Sequence, residues 1–68
     1  MKPVSGKRMC KALERKGWTF VRTKGSHFHY EHPTFPGILP VPVHANRDLK
    51  PGTQKDIMRQ AGLADADL

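Results

Sequence analysis

One cysteine stands in the whole chain, Cys10, so no disulfide can close within it. At 68 residues the chain is near the lower size at which a core holds without such a staple. A reducing, cytoplasmic setting is expected from that shortage. Acid is scarce as well: six Asp and Glu face twelve Lys and Arg, a formal net charge of +6 with His neutral. That balance works against a divalent-cation site and in favour of polyanionic partners. Long apolar runs are missing too. Nothing approaches membrane-spanning length, and Lys2, Lys7 and Arg8 introduce no apolar signal-type segment. No segment joins a basic face to a wide aromatic and leucine face, which disfavours a lipid surface. Nucleic acid is the better partner class, although charge does not tell RNA from DNA.

What is present forms one domain over residues 1–68, without repeats or low-complexity tracts. Ser5 suits an N-cap, and Val4 with Met9 has the spacing of a hydrophobic staple. Met9, Ala12 and Leu13 recur at helical intervals and Gly17 supplies a left-handed stop, so a helix is expected over 6–16. Residues 18–24 are rich in aromatic and β-branched types, and 27–32 alternate with period two around a Gly25-Ser26 turn. Placing Trp18 and Phe20 on one face with Phe28 and Tyr30 requires a three-residue connection. His27 and His29 then share the opposite, open face. Residues 38–43 make a third strand, put at a sheet edge by Pro40 and Pro42, which cannot donate to a ladder. Pro51 suits a first helical position, Ile57 and Met58 a buried face, and Gly62 with Leu63 a Schellman-type end. The tail at 64–68 is expected to fray.

The order is helix, three strands, helix. The expected class is α+β, with two helices on one face of a three-stranded antiparallel sheet and the other face open to solvent. The double-stranded RNA-binding domain (dsRBD) has this α-β-β-β-α order.

Four histidines stand in the chain, three of them at 27, 29 and 32. His-x-His on a strand puts two imidazoles on one face, as a zinc site would, and His44 could approach from the third strand. The nearest carboxylate is Glu31 and no cysteine is near, so no metal is assigned. The stronger reading is proton transfer, since an unperturbed imidazole both takes and gives a proton near neutrality. Cleaving RNA without metal requires deprotonating a 2′-hydroxyl, stabilising an anionic phosphorane and protonating the leaving oxygen. His27 suits the first or last task, and Lys24 and Arg22 suit the phosphate charge. The amides of Gly25 and Ser26 can add to this if the turn opens toward phosphate. His29 and Ser26 are neighbours without an assigned step. Arg47, Lys50 and Lys55 are alternative phosphate contacts near the start of the second helix. His32 and His44 read as surface residues without a task, and Cys10 as a small core residue with no adjacent base.

Several pieces then combine in one order: Ser5-Gly6-Lys7, Gly17-Trp18, Val21 to His27 with its Gly-Ser-His ending, Val41-Pro42-Val43-His44, Leu49-Lys50-Pro51-Gly52-Thr53, and Gln60 to Leu63. Over about Ser5 to Leu63 the chain resembles the HicA toxin family of bacterial and archaeal toxin–antitoxin pairs. The resemblance implies a dsRBD-like, ribosome-independent mRNA interferase neutralised by a HicB antitoxin covering its active site; with metal-free cleavage read from the residues, no cofactor is expected. It also puts the catalytic histidine of the Gly-Ser-His motif on His27. No catalytic role is carried onto His44. Phe28 departs from a histidine common there. Gln54 departs from an apolar residue, which leaves the second helix a thinner buried face. The free chain is expected to be a monomer, as no apolar stripe is left for self-association. The competing expectation is a non-catalytic RNA-binding module of the same fold.

Overall fold

The first helix starts, and both helices stop, where backbone groups find local partners. The computed structural model describes residues 2–68; Met1, the first residue of the expected domain, lies outside them. Helix α1 spans Gly6–Arg15, and the Ser5 hydroxyl accepts the Arg8 N–H at 3.1 Å. Gly17 takes φ +92°, and the Trp18 N–H donates back to the Leu13 carbonyl at 3.0 Å. Helix α2 spans Pro51–Ala61 and ends in the same manner. Gly62 is left-handed and the Leu63 N–H donates to the Met58 carbonyl at 2.8 Å. Both ends follow the sequence expectation.

Three strands lie between the helices: β1 Thr19–Lys24, β2 His27–Glu31 and β3 Leu39–Pro42, antiparallel in the order β1-β2-β3. The connection from β1 to β2 differs from the three residues expected. Lys24 pairs with His27, so Gly25 and Ser26 alone form the loop. Gly25 takes φ +59° at the first loop position and Ser26 does not share the positive φ, the pattern of a type II′ turn. The parity this would upset is restored by a bulge at Val21, between Phe20 and Arg22. Phe20 therefore still faces Tyr30, and the aromatic set keeps to one side. Only part of that set is core. Trp18 lies ahead of β1 and is buried, whereas Phe20, expected inside, is 46% exposed at the rim. Its ring meets Phe28 and Tyr30 edgewise at centroid distances of 5.7 and 5.9 Å.

The prolines of β3 decide its place. Pro40 pairs with His29 and Pro42 with His27. Neither proline can donate, so the bonded pairs are those of Leu39 and Val41. The ladder continues in that phase, with the Val43 N–H donating to the Ser26 carbonyl at 2.7 Å. β3 is thus an edge strand, as expected. Its inner face, Leu39 and Val41, joins Tyr30 of β2 beneath Met9 and Leu13 of α1 and Ile57 and Met58 of α2. Arg22, Lys24, His27, His29 and Glu31 remain on the other face. The fold is the expected dsRBD-like α+β arrangement.

Two further features depart from the sequence reading. Gln54 does not thin the buried face of α2. It is buried, its Oε1 accepts the Val4 N–H at 3.0 Å and its Nε2 donates to the Lys2 carbonyl at 2.6 Å. The tail expected to fray instead winds into a 3-10 turn over Asp65–Asp67. The Asp67 carboxylate accepts the Ala64 N–H at 2.8 Å and pairs with the Lys16 ammonium at 3.1 Å. Arg15 donates to the Asp67 carbonyl, and Arg8 donates twice to the Leu68 carbonyl. Cations of α1 and of its C-cap Lys16 therefore hold the segment that sequence alone left loose.

Candidate active site

His27 opens β2, and its surroundings follow from the register. Lys24 stands across from it on β1 and Pro42 on β3. The His27–Pro42 pair belongs to the unbonded class, in which side chains approach more closely. His29 repeats the arrangement two residues on, with Arg22 on one side and Pro40 on the other. Each open-face imidazole thus sits between a cation and a proline. His29 is held below the ordinary imidazole pKa, chiefly by loss of water, then by the positive charges of Arg22, His27 and Lys24. Its Nδ1 has neither solvent contact nor a hydrogen-bond partner.

A cleft of about 300 Å³ opens at the β3 edge, lined by His27, Pro42, His44, Arg47, Asp48, Leu49, Lys50 and Thr53. Its volume is at the lower end of small-molecule sites. One wall is the tight turn after β3, closed by the Arg47 N–H donating to the His44 carbonyl at 3.0 Å. Ala45 in that turn takes φ +51°, the one positive φ of a non-glycine residue among the described residues. Backbone of that kind is disfavoured and persists where its surroundings enforce it. Leu49, at the floor, is tied by its N–H to the Val4 carbonyl at 2.8 Å. The remaining wall is the start of α2. Lys50 is its N-cap, no side chain caps it, and no acidic residue stands in its first turn. The positive end of the helix, flanked by Lys50 and Arg47, therefore suits an anion.

The expected site residues divide accordingly. His27 lines the cleft. Lys24 is its cross-strand neighbour and Arg22 that of His29, while Gly25 and Ser26 form the loop joining Lys24 to His27. The Ser26 carbonyl is occupied by Val43. These four and His29 lie beside the cleft, not in its lining. Arg47 and Lys50 join His27 in the lining. Lys55 does not, and borders a separate groove with Met58, Arg59, Leu63 and Asp65. His44, read from sequence as a surface residue without a task, lines the cleft with His27. The available signal was the edge-strand pairing, which sets Pro42 opposite His27 and so carries the chain from there into His44.

The other candidates are structural. The His32 Nε2–H donates to the Lys16 carbonyl at 3.1 Å, and its Nδ1 accepts the Thr34 N–H at 3.1 Å. Its ring packs with Trp18 and Phe35. Cys10 is buried, and burial pushes its thiol above the ordinary range. Among the described residues no three His, Cys, Asp or Glu side chains gather in a way that would hold a metal ion. No helix among them is long and apolar enough to cross a membrane.

Comparison with known proteins adds one finding. The family model described as the HicA toxin of bacterial toxin–antitoxin pairs matches residues 6–63, which include both helices, the sheet and the cleft. A search of curated proteins finds no match.

Proposed function

Because the chain belongs to the HicA toxin family of bacterial toxin–antitoxin systems, we propose that it is an endoribonuclease that cuts mRNA without a metal ion. His27 is its proton-transfer residue, and a HicB-type antitoxin neutralises it. The observation that carries this reading is the position of His27 in a cleft lined also by Arg47, Lys50 and the uncapped start of α2. A phosphate seated there meets two side-chain cations and a helix N-terminus, against the single carboxylate of Asp48 in the same lining.

The reaction is transesterification. The ribose 2′-oxygen attacks the adjacent phosphorus as it loses its proton, forming the new P–O bond. The bond to the 5′-oxygen breaks, and that oxygen takes up a proton. A 2′,3′-cyclic phosphate and a 5′-hydroxyl result. The imidazole of His27 performs one of the two transfers. Arg47, Lys50 and the α2 amides offset the charge that builds on the non-bridging oxygens, with Lys24 and Arg22 beside them on the open face. The formal net charge of +6 over the chain draws RNA in and suits an acidic antitoxin surface.

The test is incubation of the purified protein with labelled single-stranded RNA in excess EDTA, beside His27→Ala. The wild type is expected to cut and the variant to lose about 10²-fold or more in rate while still binding RNA. Binding by both with cutting by neither would make the domain a non-catalytic RNA-binding module. Cutting by both would remove His27 from the mechanism.

A further inference from the structure

In an in-line displacement at phosphorus the attacking and leaving oxygens occupy opposite apical positions. A base reaching the 2′-hydroxyl is therefore badly placed to protonate the 5′-oxygen in the same pass. Two proton-transfer groups are needed, and they must approach the phosphate from different directions. The cleft at the β3 edge supplies a second imidazole. His27 comes from the first residue of β2 and His44 from the turn beyond β3, and both line the same space of about 300 Å³.

We propose that His44 is the second proton-transfer residue of the ribonuclease reaction, an inference that rests on the function proposed above. Three observations carry it. First, His44 and His27 arrive from separate elements, so each can address a different side of one phosphate. Second, His44 is held in place: its carbonyl closes the turn to Arg47, and Ala45 beside it keeps the disfavoured positive φ. Third, its side chain belongs to no core cluster and lies exposed, so packing does not explain its position. Arg47, at the other end of the same turn, lines the cleft beside it. The turn thereby delivers a proton-transfer group and a phosphate-binding cation together. In the reaction one imidazole takes the 2′-proton as the P–O2′ bond forms. The other gives its proton to the 5′-oxygen as the P–O5′ bond breaks. The pair ends with its protonation states exchanged, and solvent resets them.

The test uses an RNA whose cut position has been mapped with the wild-type protein. A second version carries sulfur in place of the 5′-bridging oxygen at that position. A thiolate leaves without a proton, so this substrate has no need of the general acid. His27→Ala and His44→Ala are each expected to lose about 10²-fold or more on the ordinary RNA. On the sulfur-containing RNA one variant, and only one, is expected to recover. That recovery names the acid and leaves the other residue as the base. His44→Gln, which keeps a polar side chain of similar reach, replaces the alanine variant if circular dichroism shows the latter unfolded. Wild-type rates from the His44 variant would overturn the inference while leaving the His27 reading intact. Loss in both variants with recovery of neither, or of both, would also overturn it and reduce His44 to a binding residue. A wild type that cuts nothing, or a His27→Ala variant as fast as the wild type, would instead sink the underlying reading, and the inference with it.

Discussion

Gln54 is the one polar side chain buried among the described residues. Its carboxamide is matched atom for atom to backbone, accepting from Val4 and donating to Lys2. Both partners belong to the segment that leads into α1, so the side chain fastens the N-terminal segment to α2. Replacing it by leucine would restore an apolar face to α2 and also leave the buried Val4 N–H without an acceptor. The second effect is the larger. Gln54→Leu is expected to lower stability by about 1–3 kcal/mol in chemical denaturation, and an unchanged or raised midpoint would show that the apolar gain dominates. Sequence gave no hint of this role. The Val4 amide lies 50 positions away, and a lone glutamine amid helical periodicity reads only as a gap in the stripe. His32 shows the same limit. Both its ring nitrogens are engaged, by Lys16 and Thr34, through contacts that a His-x-His-x-x-His spacing does not reveal.

At the scale of elements, the close approach of α1 to β3 turns on Gly6. A Cβ there would fall inside the contact radius of the Pro42 carbonyl oxygen and 3.0 Å from the Val43 Cα. These are backbone atoms and cannot rotate aside. Alanine is the better helix former by about 1 kcal/mol, so two effects oppose each other in Gly6→Ala. Overpacking wins, and the substitution is expected to destabilise by about 1–3 kcal/mol. Thermal unfolding reads the sign directly, and a rise in the midpoint would mean that α1 has room to move away. Pro42 also lines the cleft opposite His27, so the contact that seats the helix also shapes the site. Element identity was largely legible in the sequence. Ser5, Gly17, Gly62 and the prolines of β3 act within a few residues of themselves, and their chemistry is the same in any fold. The Val21 bulge was not legible, because it reconciles two demands made at different places. The Gly25-Ser26 turn favours a two-residue loop, and setting Phe20 across from Tyr30 requires the opposite parity. Only the paired sheet brings those demands together.

At the scale of the whole molecule, pH dependence sums groups that lie far apart in sequence. His29 has a folded pKa below its ordinary 6.5. As pH falls below that value the unfolded chain takes the proton first, and stability declines. Asp67, held below its ordinary 3.8 first by the Ala64 N–H and then by Lys16, gives stability above that pH and loses it only under stronger acid. The melting temperature is therefore expected to fall as pH drops below about 6.5 through His29, before the tail clasp at Asp67 titrates. His29→Gln should flatten that first decline and leave the acid limb in place. An equal decline in the variant would assign it to another group.

Charge, the lack of a second cysteine for an intrachain disulfide, the order of elements, the edge strand and the facing of His27 and His29 were determined by the sequence itself. Each depends on residue type, on the alternation of strands or on caps that act within one turn. Tertiary structure decided the rest: the burial of Gln54, the exposure of Phe20, the clasped tail and the meeting of His27 with His44, Arg47 and Lys50 in one cleft. Those contacts join chain segments separated by loops, and their distances are set by how helices and sheet pack. Local sequence carries no term for that packing, so the shared cleft becomes visible only once β3 is laid beside β2 and α2 beside both.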